Sequence, residues 1–547
     1  MTEISLKTSA RARLLALACV YVFVTMTPVM MSAYVPNTAE FAIKDYIKIA
    51  YYGTRNLTES QDTTLNYLWS FYVAEYNLGA VFAVIFFQGA ADRAGRRKTV
   101  LATMFIEVPL HIIQAIARDL HAPVLLYIGR LLSHIGTGVL LITLPVVMSE
   151  IADPTFRGRT AAVFTLLMFS GALFAGIFGL EDVLGTAELW PWLYGLIAIW
   201  CALGVIILYP FPETPVHLAA TLGAKAQEAV EEKNKQNGTK PLNLEKKIDS
   251  ESFTMEDELM AECREKVAAS LWFYQRSTAT IDMVFHEAQK SITDRKNKTS
   301  VWKKYRTLYR TSIYRPSVKI LQAINISRSF CGFSVLSLFS TSIFQYAGYS
   351  NADSQYFTLG MKFIILASSM TPFFTLDQLG RRAVLWIYTP IFLICWIVII
   401  SINAAPTSVE GPVVVISVYI IIAVICSGIS PLRNVLIPEI FPHKYRQMAK
   451  SENVLYVGVV VGIQLIFFYA AFQWAGYPIF LIYFIPNLFS LPYMLYVLPE
   501  TSGKSSDEIL ELLNKGRKAV EPERQPILTP SQAVITPDDK VVSGQFA

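Results

Sequence analysis

The chain has 547 residues, of which 53% are apolar and only 16% are charged. Soluble domains average roughly 45–50% apolar and about 25% charged residues, so a soluble protein of this length would lack the charge to cover its surface. The net charge of +5 is a mild basicity that gives no indication of a nucleic-acid partner. The composition therefore predicts an integral membrane protein.

Apolar stretches long enough to cross a bilayer as a helix, about 20 residues, recur along the whole chain. The first, at 14–35, lacks the short apolar region and the cleavage pattern of a removable signal peptide, so we interpret it as a retained span. The remaining stretches lie at 66–91, 100–117, 124–148, 158–180, 190–210, 317–345, 354–376, 383–402, 412–437, 453–473 and 477–498. These stretches predict an all-α membrane protein with twelve transmembrane helices.

A polar segment rich in Lys and Glu divides the spans into six and six, and it contains helix-like pieces at 224–235 and 255–274. The predicted organisation is a cytosolic N-terminus, a six-helix half, a cytosolic helical linker, a second six-helix half and a cytosolic tail, at 1–13, 14–212, 213–316, 317–500 and 501–547.

The orientation follows from the short loops. Those on the side of the N-terminus, the linker and the tail are rich in Lys and Arg, whereas the opposite loops at 181–189, 346–353 and 403–411 are nearly free of them. Because cytoplasmic loops are enriched in basic residues, we expect both termini in the cytosol, and we expect the plasma membrane as the location. The longest outer loop, 36–65, contains the acceptor sequence Asn56-Leu57-Thr58, which predicts N-glycosylation of Asn56.

Three short motifs occur once in each half, at corresponding places. Asp-x-x-Gly-Arg-Arg follows the second span at 92–97 and the eighth at 377–382. A Glu followed seven residues later by an Arg comes after the fourth and the tenth spans, and Pro-Glu-Thr comes after the sixth at 212–214 and the twelfth at 499–501. Their charged residues are predicted to form gates at the cytosolic helix ends: Asp92, Arg96, Arg97, Glu150, Arg157, Glu213, Asp377, Arg381, Arg382, Glu439, Arg446 and Glu500.

Paired Arg and carboxylate groups at these helix ends could lock the two halves together in one state and separate in another, as alternating access requires. The alternative is that the charges only anchor the helix ends at the membrane surface. Six motifs in matching places favour the gating hypothesis.

Together with Gly129-Arg130 and the Pro-Glu-Ile-Phe-Pro run at 438–442, these motifs resemble the sugar porter family of the major facilitator superfamily, which includes the facilitative glucose transporters. The resemblance covers about 12–510. It implies two six-helix halves and transport of a small polar solute, most readily a sugar, across the lipid bilayer by alternating access. The cytosolic segments show no nucleophile–base pair, metal-ligand cluster or phosphate-binding loop, so no enzymatic activity, cofactor or metal is expected, and the oligomeric state is left undetermined.

The sugar-binding positions that the resemblance implies are changed in this chain. Arg328, Ser329 and Ser334 stand where relatives place two Gln and an Asn on the seventh span, Thr165 replaces a Gln, and Asn434 replaces a Trp. With Lys362 on the eighth span, the predicted substrate-binding residues are Arg328, Ser329, Ser334, Thr165, Lys362 and Asn434.

A charged side chain at the centre of a membrane helix is costly, so the intramembrane cations should not face lipid. In one interpretation Arg328 and Lys362 form a cationic cavity for an anionic or strongly polar solute. In the other they pair with Glu75 or Glu107. Both remain open at the level of the sequence.

Two other functions are compatible with these features. One is an organic anion carrier of the same superfamily, although such relatives usually have a large loop between the first two spans, where this chain has about 30 residues. The other is a solute sensor or receptor that signals through 219–316 without net flux. Because the first span contains no acidic residue, uniport is expected rather than proton coupling.

Overall fold

Helices account for nearly all of the chain that the computed structural model describes, which is residues 3–54, 56–153, 156–224, 255–296, 301–402, 407–501, 504 and 506–514. The all-α prediction is confirmed. Most of the helix predicted at 224–235 and most of the tail predicted at 501–547 lie outside the described residues.

The first half of the chain is built from helices that mostly follow the predicted spans. They are α1 (Glu3–Thr38), α2 (Glu40–Tyr52), α3 (Glu59–Phe87), α4 (Ala90–Ala94), α5 (Arg96–Ile116), α6 (Pro123–Glu150), α7 (Arg157–Phe178) and α8 (Pro191–Leu208). All except α2 and α4 are long and apolar enough to cross a membrane.

Helix α2 was not expected, because the sequence predicted an outer loop at 36–65. Ala42, Ile43 and Ile47 recur at helical spacing and are buried on one face of α2. An amphipathic helix therefore follows the first span almost without interruption.

The linker contributes α9 (Met255–Gln275), α10 (Ile281–Lys296) and α11 (Val301–Arg310). The second half contains α12 (Arg315–Ser329), α13 (Phe333–Tyr346), α14 (Asn351–Ser368), α15 (Pro372–Leu379), α16 (Arg381–Ser401), α17 (Thr407–Val424), α18 (Ser430–Ile440), α19 (His443–Ala475) and α20 (Leu481–Val497), followed by α21 (Ser506–Asn514).

The seventh span is broken, where the sequence predicted one continuous helix at 317–345. Helices α12 and α13 are separated at Gly332, whose φ of +79° is accessible to glycine at little cost. A Cβ at Gly332 would also lie 2.6 Å from the ring of Trp396. The break places the C-terminal end of α12 and the N-terminal end of α13 near the middle of the seventh span.

Ten segments of the described residues meet the length and hydropathy expected of membrane helices. The broken seventh span and the eighth, α14, which starts with a polar run at 351–355, complete the predicted twelve. The tenth span is interrupted by a π-helical turn at Ile425–Ile429, which ends two residues before Pro431. Since proline lacks an N–H group, it cannot continue the hydrogen-bond ladder unchanged.

The two halves contact each other along three helix pairs: α1 with α13, α3 with α19, and α7 with α14. The charged motifs and the linker helices share one end of the molecule, here called the linker face. The opposite end, where α1 meets α13, is here called the far face.

Candidate functional site

A charged network joins three parts of the first half at the linker face. Arg96 on α5 forms an ion pair with Glu150 on α6, with Nη2 and Oε1 2.9 Å apart and both side chains 10% exposed. The Arg96 guanidinium also contacts Asp92 at 3.1 Å and His217 Nδ1 at 2.8 Å. The second Glu150 oxygen accepts a hydrogen bond of 2.5 Å from the hydroxyl of Thr214. Arg96 and Glu150 therefore hold α5, α6 and the segment after α8 together.

Glu213 completes this network through backbone groups. Its Oε1 accepts hydrogen bonds from the N–H groups of Arg97, at 2.9 Å, and Thr214, at 3.1 Å. Gly95 has a φ of +105°, and a Cβ at this position would lie 2.5 Å from Glu213 Oε2. The glycine of the motif thus lets a carboxylate approach the N-terminal end of α5. The Arg97 guanidinium lies over the ring of Tyr209.

The second half repeats the arrangement. Arg381 Nη2 lies 3.0 Å from Glu439 Oε1, and the hydroxyl of Thr501 donates to Glu439 Oε2 at 2.6 Å. Glu500 accepts hydrogen bonds of 3.0 Å from the backbone N–H groups of Arg381 and Arg382. The sequence repeat therefore corresponds to one network built twice.

Each of these ion pairs connects helices of the same half. The gating hypothesis expects the Arg and carboxylate groups to lock the halves together in one state and to separate in another; in the arrangement described here, the ion pairs of Arg96 and Arg381 lie within one half. The networks instead make the linker-face end of each half rigid.

The other predicted gate residues contact peripheral helices. Arg157 donates to Glu287 on α10 at 2.8 Å. Arg446 donates to the carbonyl oxygen of Phe441 at 3.0 Å and to Ser506 on α21 at 3.4 Å. The backbone of Asp377 belongs to α15, and its side chain lies outside the described part of the chain.

At the far face, hydrogen bonds join the two halves directly. Asn37 Nδ2 donates to the carbonyl oxygen of Ser337 at 2.9 Å and to Ser340 Oγ at 2.8 Å, and the N–H of Thr341 donates to Asn37 Oδ1 at 3.2 Å. Gln355 Nε2 on α14 donates to the carbonyl oxygen of Thr38 at 2.8 Å. We call this group the Asn37 seal; its members are Asn37, Thr38, Ser337, Ser340, Thr341 and Gln355.

A second set of contacts surrounds the Asn37 seal. The N–H of Glu181 donates to Gln355 Oε1 at 2.9 Å, Asn351 donates to Glu181 Oε2 at 2.9 Å, and the hydroxyl of Tyr356 donates to Asp182 at 2.6 Å. The loop after α7 is therefore tied to α14 of the other half.

Helix α2 adds a buried acid and a partly buried base at the same end. Glu40 is 5% exposed and accepts a hydrogen bond from Ser342, while Lys44 donates to Tyr469 at 2.9 Å and Asn66 at 3.0 Å. Burial raises the pKa of Glu40, although Lys44 and the Ser342 hydroxyl oppose this. Burial likewise lowers the pKa of Lys44 against the opposing effect of Glu40.

The far-face contacts were missed at the level of the sequence. Asn37-Thr38 ends the first span, and the seventh span is rich in Ser and Thr where α1 contacts α13. These interhelical hydrogen bonds have one signal in the sequence: polar residues end the first span, and the seventh span is rich in hydroxyl groups.

The cationic side chains inside the second half occupy two different environments. Arg328, at the end of α12, and Arg433, on α18, line a small cavity of about 10 Å³ inside the second half. Lys362 is fully buried elsewhere, where it donates to the carbonyl oxygen of Ser337 and lies over the ring of Tyr34 at 4.6 Å. Lys362 therefore connects α14 to the Asn37 seal.

The proposed pairing of these cations with Glu75 or Glu107 is wrong for the described residues. Glu75 Oε2 lies 3.9 Å from Nε of the buried Arg130. Glu107 Oε2 lies 3.4 Å from Nδ1 of His111, one turn along the same helix. Both acids therefore lie near groups of the first half, although their carboxylate oxygens are buried without a hydrogen-bond partner.

The remaining predicted substrate-binding residues are dispersed. Ser329 is buried at the end of α12, Ser334 is partly buried in α13, and Asn434 is exposed beside Arg433, from which it accepts a hydrogen bond at 3.3 Å. Thr165 donates to the carbonyl oxygen of Ala161 in its own helix. The structure brings Arg328 and Arg433 together at one cavity and leaves Thr165 and Lys362 outside it.

Comparison with known proteins agrees with this architecture. The family described as sugar (and other) transporter matches residues 20–275 and 259–513. Facilitated glucose transporter member 5 of solute carrier family 2 from Rattus norvegicus is 26% identical over 501 residues, which is 90% of each chain. Member 2 from Sus scrofa is 25% identical over 450 residues, which is 81% of this chain and 76% of that one.

Among solved structures, the inward-open xylose transporter XylE from E. coli has a TM-score of 0.65 at 18% identity, covering 91% of this chain and 99% of that chain. The proton:xylose symporter XylE bound to 6-bromo-6-deoxy-D-glucose has a TM-score of 0.63 at 18% identity, covering 93% and 99%. These likenesses show the fold, and the family match spans more than half of the sequence. The chain therefore belongs to the sugar (and other) transporter family and has the twelve-helix fold of the major facilitator superfamily.

Proposed function

We propose that this protein is a facilitative sugar transporter of the plasma membrane that works by alternating access. The observation that carries the proposal is the contrast between its two ends. Several hydrogen bonds join the halves at the far face, whereas the charged networks at the linker face stay within each half and the halves meet there through a hydrogen bond of 2.8 Å from Gln88 to Ser451. Such halves can rock as rigid bodies around a central path while the far-face contacts form and break.

The orientation rests on the distribution of basic residues. The loops of the linker face carry the repeated Arg motifs, so by the positive-inside rule this face and both termini are cytosolic. The far face is then extracellular. Asn56 lies on that side between α2 and α3 and is exposed, so it is available for glycosylation.

In this proposal the repeated networks keep the linker-face end of each half rigid while the two halves rock against each other. Relatives named glucose and xylose transporters support a sugar as the solute. The first membrane segment, Ala10–Thr38, contains no acidic residue, and Glu75 lies beside Arg130. These features support uniport rather than coupling to protons.

The test is entrance counterflow with the purified full-length chain in proteoliposomes. Glucose, fructose and xylose are each measured with and without a pH gradient, and protein-free liposomes are the control. We expect saturable exchange of at least one sugar, with no accumulation driven by the gradient. Accumulation with the gradient would overturn uniport, and the absence of exchange for any sugar would overturn sugar transport. Ligand binding without flux would indicate a sensor instead.

A further inference from the structure

A basic amphipathic helix leads into the second half. The segment 301–315, which contains α11, the following turn and the first residue of α12, has five Lys or Arg residues and no acidic residue. Leu308 is fully buried and Tyr305, three residues before it, is partly buried, so one face of α11 packs against the protein. Three cations of the segment are exposed and are here called the basic cluster: Arg306, Arg310 and Arg315.

Hydrogen bonds attach α11 to the first turns of two membrane helices. The hydroxyl of Tyr305 donates to the carbonyl oxygen of Met448 at 3.4 Å, and Met448 is the first residue of the membrane-crossing part of α19. The hydroxyl of Tyr309 donates to Glu452 Oε1 at 2.5 Å, and Gln322 Nε2 on α12 donates to the same oxygen at 2.8 Å. Gln322 lies about 10 Å from the start of α12 at 1.5 Å per residue. These contacts hold α11 beside the ends of the membrane helices, at the level of the lipid head groups.

The acids of neighbouring helices do not neutralise the basic cluster. Glu452 on α19 accepts hydrogen bonds from Tyr309 and Gln322 instead. Helix α21, which packs against α12, carries Asp507 and Glu508. In the part of the chain that the structure describes, no ion pair involves any of the three arginines of the basic cluster. Their positive charge is therefore exposed next to the bilayer without an internal counter-ion.

We propose that the basic cluster binds the head groups of anionic phospholipids in the cytosolic leaflet. Basic residues directly beside a membrane helix are attracted to the negative surface of that leaflet. A guanidinium group can also donate two parallel hydrogen bonds to a lipid phosphate. The inference rests on the proposed orientation, in which the linker face is cytosolic, and it adds a lipid ligand to the proposed transport function.

The experiment measures the melting temperature of the purified full-length protein in neutral detergent as short-chain lipid is added. The ligands are dioctanoyl phosphatidylserine, dioctanoyl phosphatidylcholine and glycerophosphoserine, which has the anionic head group without the chains. Each basic residue near an anionic surface contributes about fivefold to binding, so phosphatidylserine should act at a concentration at least about tenfold lower than phosphatidylcholine. Added salt should weaken this preference, because it screens exposed charges.

Variants of the basic cluster locate the site. One triple variant combines Arg306→Gln, Arg310→Gln and Arg315→Gln, and it should lose about tenfold or more of the preference for phosphatidylserine. A second triple variant, with Lys at the same three positions, should retain part of the preference, since the charges remain but the planar guanidinium groups are lost. Each variant is first shown to be monodisperse by gel filtration.

The matched control removes three exposed cations from the linker helices and the turn between them. It combines Arg264→Gln, Lys266→Gln and Arg276→Gln. Arg264 and Lys266 already form ion pairs with Asp282 and Glu262. The control therefore lowers the net charge by the same amount, and it should keep the preference for phosphatidylserine. An equal loss of the preference in the control would show that only net charge matters, which would overturn a site at the basic cluster.

The outcomes separate this inference from the proposed function. If sugar exchanges in proteoliposomes but phosphatidylserine and phosphatidylcholine act alike, the lipid site is wrong while transport stands. If glycerophosphoserine acts as strongly as phosphatidylserine, the ligand is a soluble anion and the lipid proposal fails. If the Gln variant of the basic cluster loses the lipid preference but no sugar is exchanged by the wild type in any lipid, the lipid site stands and the proposed transport function fails.

Discussion

The two ends of the molecule are held by different chemistry. At the far face, the Asn37 seal consists of hydrogen bonds between neutral groups of opposite halves. At the linker face, Arg96 with Glu150 and Arg381 with Glu439 form charged pairs within one half. A neutral hydrogen bond contributes a net of about 0.5–1.5 kcal/mol, and one to a charged group about 1.5–3 kcal/mol. Hydrogen bonds to charged groups, from Lys44 to Tyr469 and from Ser342 to Glu40, also cross the far face. The two ends therefore differ in what their contacts connect: opposite halves at the far face, and helices of one half in the ion pairs at the linker face.

The largest expected effect comes from breaking one linker-face pair. Arg96→Gln leaves Glu150 nearly buried without its ion-pair partner, and loss of one partner of a buried pair typically costs about 3–5 kcal/mol. We expect a lowered melting temperature of the solubilised protein and a loss of most counterflow activity.

Arg381→Gln should behave similarly but less severely, because Glu439 is 20% exposed against 10% for Glu150. Lys319→Gln serves as the control for removing a positive charge. Wild-type stability and flux in both arginine variants would show that the repeated networks are dispensable.

The repeated glycines test the same networks through the backbone. Gly95→Ala should destabilise more than Gly380→Ala, since the added Cβ would lie 2.5 Å from Glu213 in the first case and 2.8 Å from Glu500 in the second. The left-handed backbone conformation adds about 1–3 kcal/mol at either position. Gly158→Ala is the control, because nothing lies within 4 Å of its Cβ position. The melting temperatures of the three variants are compared in detergent. Equal melting temperatures would contradict the close approach of Glu213 to Gly95 and of Glu500 to Gly380.

A smaller effect is expected at the Asn37 seal. Asn37→Ala removes three hydrogen bonds between the halves without touching either charged network. We expect faster hydrogen–deuterium exchange in residues 333–346, with the melting temperature changed by less than in Arg96→Gln. Thr64→Ala, which removes only a hydrogen bond within α3, is the control. Unchanged exchange in the Asn37 variant would mean that the seal does not hold the halves together.

The smallest expected effect is a dependence on pH at the far face. Burial raises the pKa of Glu40 in the closed arrangement, so the carboxyl group binds a proton more readily there than in water. Contact between the two halves at the far face should be favoured when the pH is below the ordinary pKa of glutamate. This contribution to the stability of the contact is lost as the pH rises through the raised pKa of Glu40. Hydrogen–deuterium exchange of residues 333–346, corrected for intrinsic rates, should therefore be slower at about pH 5 than at about pH 7. Glu40→Gln should lose this difference, and its persistence in that variant would assign the effect to another group.

The sequence was most informative where a pattern is repeated or periodic. The twelve spans follow from apolar composition, and the linker-face networks follow from the repeated Asp-x-x-Gly-Arg-Arg, Glu and Pro-Glu-Thr motifs. The repeat identified Arg96 with Glu150 and Arg381 with Glu439 as members of the networks. It did not show that each of these pairs lies within one half. That distinction depends on how helices distant in sequence are arranged.

Contacts between single polar residues were less predictable. Asn37 and Gln355 belong to no repeated pattern, and their partners depend on the contacts of α1 with α13 and α14. The partners of Glu75 and Glu107 were misassigned, although the spacing of Glu107 and His111 by four residues could have indicated a contact on one helix. The break at Gly332 was also missed, since an isolated glycine in an apolar run does not reveal its backbone angle.

The central claim is that the far face must open during each transport cycle. Asn37 and Ser340 lie in hydrogen-bonding contact across the two halves, so the double variant Asn37→Cys with Ser340→Cys can be cross-linked by oxidation. Thr341→Cys with Thr358→Cys is the matched control, because that pair lies within the second half. We predict that oxidation stops counterflow in the first pair, that reductant restores it, and that the control pair continues to exchange. Undiminished counterflow in the fully cross-linked Asn37–Ser340 variant would contradict the account.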